Sequence, residues 1–351
     1  MRRRHALRLL ATGLALVVGI GALTAAPAEE AQAERFCDKH PRTLSGTVER
    51  ISGADRFATA VAISKRHFDA GTCRVYVASG LDFPDALAGA ADASGTVVPY
   101  PVLLVRPDSI PAVVAAELKR LDPDDIVVLG GTASVSDRVF RQLEGYAETS
   151  VMRVGGRDRY DTAVQMFLSV PTSTDRVYIA SGQGFPDALA AGSLAGRDYA
   201  PLLLTSRYAV PEVVKEHLRQ RKPKHIIIVG GTGAVSSAVE STLRSYASES
   251  VTRIAGKDRF ATAVEVSKQR AQWPAGIAYV ASGLAYPDAL TATPAAQIHG
   301  VSVLLVAPNS IPAVVDQELK RLQPRHIVIL GGTGAVSADV ERKLQGYLVA
   351  P

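Results

Sequence analysis

The sequence predicts three tandem α/β units, each a layer of parallel strands flanked by helices. Three observations carry that expectation. A stretch of about a hundred residues is written three times: Asp55, Asp158 and Asp258 are 103 and 100 positions apart, and Gly130, Gly230 and Gly331 are 100 and 101 apart. A repeat this long exceeds a solenoid unit, so each copy can bury a core of its own. Within each copy, continuous apolar runs of strand length, such as Val75-Tyr76-Val77-Ala78, suit strands buried on both faces of a parallel sheet. Helical patterns separate those runs, and alternating β and α elements imply right-handed crossovers in a doubly wound layer. We therefore expect three Rossmann-like or flavodoxin-like units with about four parallel strands each. Linkers such as Gly145-Tyr146-Ala147-Glu148 are too short to act as tethers, so the units should pack intramolecularly as a pseudo-trimer.

The elements of the first copy (residues 48–147) follow in order. Val48-Glu49-Arg50-Ile51 opens it as a strand, and a helix containing Thr59, Val61 and Ile63 comes next. After the run at Val75, Pro84-Asp85 starts a second helix, with proline in the first turn and the carboxylate near the positive end of the dipole. Val102-Leu103-Leu104-Val105 is the next strand, and residues 111–121 form a helix with Val113, Val114, Leu118 and Leu121 on its apolar side. Ile126-Val127-Val128-Leu129 runs into Gly130-Gly131-Thr132, where glycine permits positive φ, and Ser136 stands as the N-cap of a last helix. Copies two (148–248) and three (249–351) repeat this order.

Residues 1–33 read as a signal peptide. Arg2, Arg3, Arg4 and Arg8 form a basic start, an apolar run follows to about Ala26, and Ala31-Gln32-Ala33 gives a small-x-small cleavage pattern. An uncleaved anchor is the competing reading. No lipobox cysteine, C-terminal apolar anchor or sortase motif is written, so the expectation is a secreted protein at the cell surface with no stable membrane insertion. Residues 34–47 form an N-terminal extension. Without the leader, 35 basic residues oppose 32 acidic ones. That balance permits an anionic partner but lacks the dense basic tracts of a nucleic-acid binder. Cys37 and Cys73 are the two cysteines, and in an exported chain an even pair suggests a disulfide worth about 3–4 kcal/mol, against the alternative of two thiols. Two cysteines without companion ligands do not suggest zinc.

Polar residues recur at the expected strand ends, where open α/β sheets place their ligand crevices. Gly131-Thr132, Gly231-Thr232 and Gly332-Thr333 belong to turns that either simply join strand to helix or cradle an anion on backbone N–H groups. Asp55, Asp158 and Asp258 each precede an arginine, and Asp85, Asp187 and Asp288 each follow a proline. Arg56, Arg159 and Arg259 either brace a carboxylate or present planar forks to an acidic ligand. No dinucleotide fingerprint or phosphate loop is present, so no cofactor is expected.

Catalysis finds little support. His225 and His326 share a position that is Asp125 in the first copy, and the other histidines have no counterparts. Ser79, Ser181 and Ser282 recur in Ala-Ser-Gly, but no recurrent histidine accompanies them as a base. No zinc-protease helix or nucleophile elbow is written, and no metal site is expected.

The chain resembles the type-2 cell wall-binding repeat family of Gram-positive bacteria. The carriers are R-I-x-G-x-D-R-[FY]-x-T-A-V, Y-[VI]-A-S-G-x-x-[FY]-P-D-A-L, and L-L-[VT] followed by [LV]-G-G-T-x-x-V-S, from about Val48 to Gly346. The resemblance implies three modules around a pseudo-threefold axis that hold the protein noncovalently to an anionic cell wall polymer, with a wall hydrolase as a possible partner. Such modules often accompany a catalytic domain, for which the sequence leaves no room beside the repeats. Rival readings are a hydrolase with a site between modules and a protein that recruits a hydrolase. Asp161, where the other copies have Ala58 and Ala261, and Ala133-Ser134, where they have Gly-Ala, argue against three identical sites.

Overall fold

The computed structural model describes residues 46–82, 84–94, 99–168, 175–269 and 276–349. The expected signal peptide and Cys37 lie outside these residues. Twelve strands and twelve helices alternate along the described chain. The first copy contributes β1 (Thr47–Ile51), α1 (Arg56–His67), β2 (Arg74–Ser79), α2 (Pro84–Ser94), β3 (Val102–Val105), α3 (Ala112–Leu121), β4 (Asp125–Leu129) and α4 (Asp137–Leu143). The second contributes β5 (Ser150–Val154), α5 (Arg159–Leu168), β6 (Arg176–Ser181), α6 (Phe185–Arg197), β7 (Leu202–Thr205), α7 (Glu212–Arg221), β8 (His225–Val229) and α8 (Ser237–Leu243). The third contributes β9 (Ser250–Ile254), α9 (Arg259–Lys268), β10 (Ile277–Ser282), α10 (Pro287–Ile298), β11 (Val303–Val306), α11 (Ala313–Leu322), β12 (His326–Leu330) and α12 (Ala338–Leu344).

Three parallel four-stranded sheets result, in the orders β3-β2-β4-β5, β7-β6-β8-β9 and β11-β10-β12-β1. Each unit therefore has four strands, but only three come from one copy. The strand that opens a copy adds to the sheet of the copy before it: β5 pairs with β4 from Ser150↔Asp125 to Val154↔Leu129. The ring closes because β1 pairs with β12, Thr47 opposite His326 and Ile51 opposite Leu330. The repeating units of the sequence and of the fold are thus out of phase by one strand. That exchange makes each sheet depend on two copies and explains why no linker is needed.

The helices at the axis are built to approach closely. α2, α6 and α10 pack against one another and consist largely of Ala, Gly, Ser and Thr, with Ala88, Ala91, Ala191, Ala195, Ala292 and Ala295 buried. A helix that is apolar or small all round has no solvent face and belongs in a core. Gly196 shows how close the approach is: a Cβ there would lie 2.7 Å from Ser94 Cβ. Each copy's opening helix then packs across a junction, α5 on α2, α9 on α6 and α1 on α10. No described helix is long and apolar enough to cross a membrane.

Candidate functional site

At each junction a strand-end corner is assembled from two consecutive copies. Gly130, Gly230 and Gly331 adopt positive φ of 95°, 117° and 99° at the ends of β4, β8 and β12. A side chain is excluded there twice over, by conformation and by Asp85, Asp187 and Asp288, which sit directly against these glycines. The glycine N–H groups donate to Val154, Ile254 and Ile51, carbonyls of the next strand in the ring, at 2.8–2.9 Å. Their carbonyls accept from Nη1 of Arg153, Arg253 and Arg50 at 3.0, 2.6 and 2.7 Å. Arg253 and Arg50 are further held by Glu240 and Glu341 at 2.8 and 2.7 Å, and Arg153 by Asp137 at 3.4 Å. The corner is therefore locked by the neighbouring copy before any ligand arrives.

Arg56, Arg159 and Arg259 reach the same junctions from the first turns of α1, α5 and α9. Each donates from Nη1 to a strand-end glycine carbonyl of its own copy: Gly80 at 2.6 Å, Gly182 at 2.7 Å and Gly283 at 2.8 Å. Arg56 lies 6.0 Å from the ring of Tyr286, and Arg259 lies 5.9 Å from that of Phe185. Both rings belong to the preceding copy in the ring, and they touch each other with centroids 6.0 Å apart. Burial pushes the Asp187 carboxyl up to about 6, although the Thr262 hydroxyl and the Arg259 charge pull the other way. Burial also raises Asp288, opposed by the charge of Arg56. No ion pair within 4 Å joins these three arginines to a carboxylate among the described residues. Arg56 and Arg259 remain exposed and Arg159 half-exposed. A guanidinium has five donors, and one fixed N–H orients the rest.

The structure assigns the other recurrent residues to local architecture. Asp55, Asp158 and Asp258 are helix N-caps whose Oδ1 accepts from Ala58, Asp161 and Ala261 at 2.8–2.9 Å. Thr59, Thr162 and Thr262 accept from Gly53, Gly156 and Gly256 and close the preceding loop. Ser79, Ser181 and Ser282 each accept from the N–H two residues on, at 3.2 Å, which is turn chemistry. Ser136, Ser236 and Ser337 cap their helices as expected. Asp125, His225 and His326 do one job across the junction, meeting hydroxyls of Ser150, Ser250 and Thr47 at 2.6, 2.9 and 3.0 Å. The departures are local too: Asp161 accepts from the Arg157 backbone, and Ser134 donates to Asp85 at 2.8 Å.

Arg56 and Arg259 act on Asp288 and Asp187, the aspartates seated against the turn glycines of the preceding copy in the ring, because the opening strand and helix of each copy cross the junction. The turns also offer fewer donors than their glycines suggest, since the first N–H of each pair is held by the next strand. Sequence reasoning passed over Arg50, Arg153 and Arg253, which the structure shows as the braces of every corner. Their signal was present as an arginine that recurs one residue before the end of each copy's opening strand. Cys73 is half-buried just before β2, but its expected partner Cys37 lies outside the described residues. Among those residues no group of three His, Cys, Asp or Glu is placed to hold a metal.

Known proteins share this arrangement. Cwp6 from Clostridium difficile superposes with a TM-score of 0.80 at 27% identity, over 87% of this chain and 48% of that one. Cwp8 from the same organism gives 0.75 at 26% identity, over 86% and 52%. The N-acetylmuramoyl-L-alanine amidase LytC of Bacillus subtilis is 26% identical over 86% of this chain and 59% of its own length. The Amidase enhancer of the same species is 28% identical over 84% and 40%. The chain thus spans about half the length of these relatives. The model of cell wall binding domain 2 (CWB2) matches residues 50–140, 153–240 and 253–341, and the chain belongs to that family.

Proposed function

We propose that this chain is a secreted, non-catalytic protein that binds anionic cell wall glycopolymers noncovalently at its three inter-copy junctions. The observation that carries the reading is the position of Arg56, Arg159 and Arg259: exposed or half-exposed, anchored by one N–H, and unpaired with any carboxylate among the described residues. Guanidinium forks suit phosphate or carboxylate groups. The Gly131-Thr132, Gly231-Thr232 and Gly332-Thr333 turns at the same corners complete the surface. Three such sites on one rigid ring give a repeating polymer a high effective concentration for each next contact.

Sedimentation of the mature protein with purified Gram-positive walls, intact or stripped of their anionic polymers, tests this. Binding should require the polymers and weaken with added salt. Changing one arginine to lysine keeps the charge but loses the bidentate geometry. Single changes should weaken binding modestly and the triple change severely. A folded triple variant that sediments like the parent would refute the assignment. The names of the Bacillus relatives favour a second role beside this one, in which the bound chain positions a wall amidase. Retention of such an enzyme on walls only when this chain is present would support it.

A further inference from the structure

Three of the second copy's departures from its siblings carry polar or aromatic groups to one strand-end corner. Gln183 stands where the others have Leu81 and Leu284, Arg207 where they have Pro107 and Pro308, and Tyr208 where they have Asp108 and Asn309. In copies one and three the loop after the edge strand closes with a short backbone bridge, Arg106↔Ser109 and Ala307↔Ser310. In copy two a side chain closes it: Ser206 Oγ donates to the Ala209 carbonyl and accepts from the Ala209 N–H, both at 3.0 Å. Tyr208 is thereby carried outward and is 71% exposed, the highest exposure of any large apolar side chain among the described residues. Arg207 lies 5.0 Å from its ring centroid. Gln183 Oε1 accepts from the Arg207 N–H at 3.0 Å, which ties the two loops together.

The corner is continuous with the junction already described. Arg159 is anchored on the Gly182 carbonyl, one residue before Gln183. The Gly182 N–H donates to Thr205 at 2.9 Å, at the base of the Tyr208 loop. Thr205 itself is fully buried with an unpartnered hydroxyl, where the siblings have Val105 and Val306. An aromatic this exposed has no packing role in the core, but its face suits the C–H face of a sugar ring while its hydroxyl reaches solvent. A guanidinium beside it suits an acidic substituent, and the primary amide of Gln183 keeps two donors.

We propose that Gln183, Arg207 and Tyr208 form a saccharide-recognition site, present in the second copy alone, for a pyranose ring that bears an anionic substituent. The proposal rests on the wall-binding reading and adds ring recognition to charge recognition. It makes the ring of sites unequal, with one selective site and two that respond to charge.

The test is competition against wall sedimentation, using oligogalacturonate, an anionic pyranose oligomer, and polyphosphate of matched charge, which has no ring. Oligogalacturonate should compete about three- to tenfold better than polyphosphate for the parent, the range expected of one aromatic contact. Tyr208→Ala and Gln183→Leu should remove that preference, and Tyr208→Phe should keep it. Equal competition by the two polymers, or a preference that survives Tyr208→Ala, would overturn the proposal. A parent that fails to sediment with walls would instead defeat the wall-binding reading itself.

Discussion

At the carboxyl ends of the sheets the three copies place the corner glycine, its aspartate and its bracing arginine in the same roles, whereas at the amino ends one recurrent tyrosine meets three different partners. The Tyr76 hydroxyl donates to Asp92 at 2.5 Å, and that of Tyr178 donates to Asp198 at 2.7 Å. The Tyr279 hydroxyl lies 3.3 Å from His67 Nε2. Asp92, Asp198 and His67 do not even come from equivalent positions. A buried hydroxyl needs a hydrogen-bond partner, and any geometry that supplies one is enough. The strand-end corner is more demanding, because one positive-φ glycine is packed against an aspartate, bonded to the next strand through its N–H and braced through its carbonyl by an arginine. The difference separates what burial requires from what the shape of the corner requires.

A second contrast falls within the layer structure. In copies one and three a buried glutamate, Glu117 or Glu318, accepts from Ser64 or Ser267 at 2.5 and 2.6 Å and pairs with Arg120 or Arg321 at 2.6 Å. Copy two has Phe167 and His217 instead, and His217 Nε2 is buried without a partner. Burial, assisted by the nearby Arg221 charge, holds His217 down at about 4.

Breaking the corner should have the largest effect. Gly230→Val forces a β-branched residue to φ 117° against Asp187 and should cost about 2–5 kcal/mol in urea unfolding. Gly233→Val, where nothing lies within 4 Å of a Cβ, should cost far less.

The His217 contrast comes next. Its folded value of about 4 lies below the ordinary 6.5, so the unfolded chain binds the proton first. Stability should be intact above pH 6.5 and fall as pH drops toward 4, by up to about 3 kcal/mol. Asp92, raised by burial to about 6, acts with the opposite sign, losing its contribution as pH rises through 6. Comparing parent with His217→Leu across pH 4–7 isolates the histidine, and the variant should lose that part of the slope.

The amino-end prediction is smaller. Tyr76→Phe leaves Asp92 short of its hydroxyl donor and should cost about 1–3 kcal/mol at pH 7. Tyr178→Phe should cost less, because Asp198 keeps Arg197 and Arg176 at 2.6 and 2.7 Å. Equal losses would mean that the partners do not distinguish the two tyrosines.

Much of this was legible in the chain. The apolar runs, the Pro-Asp helix starts, the serine caps and the positive-φ glycines are local signals, and local physics decides them. The α/β class and the packed trimer followed from period and alternation. The strand exchange was not legible, because Val48-Glu49-Arg50-Ile51 reads as a strand whichever sheet receives it. The approach of Arg56 to Tyr286 and Asp288 of copy three depends on that exchange and could not be read without it. Arg50, Arg153 and Arg253 recur in the opening strands, but only the fold shows that they reach Gly331, Gly130 and Gly230. The Gln183, Arg207 and Tyr208 cluster was hidden for another reason: Gln183 is 24 residues from Arg207 in sequence, and none of the three recurs in another copy.

If polymer binds between copies and not within them, as proposed, both sides of a junction must respond to it. The side-chain Nε–Hε signals of Arg56, Arg159 and Arg259 can be followed by NMR while polymer released from walls is titrated in. Each arginine should respond together with the Gly-Gly-Thr amides of the preceding copy in the ring, Arg56 with Gly332 and Thr333, Arg159 with Gly131 and Thr132, Arg259 with Gly231 and Thr232. Polymer binding that leaves these arginines unmoved, or that pairs each with the turn of its own copy, would contradict that proposal.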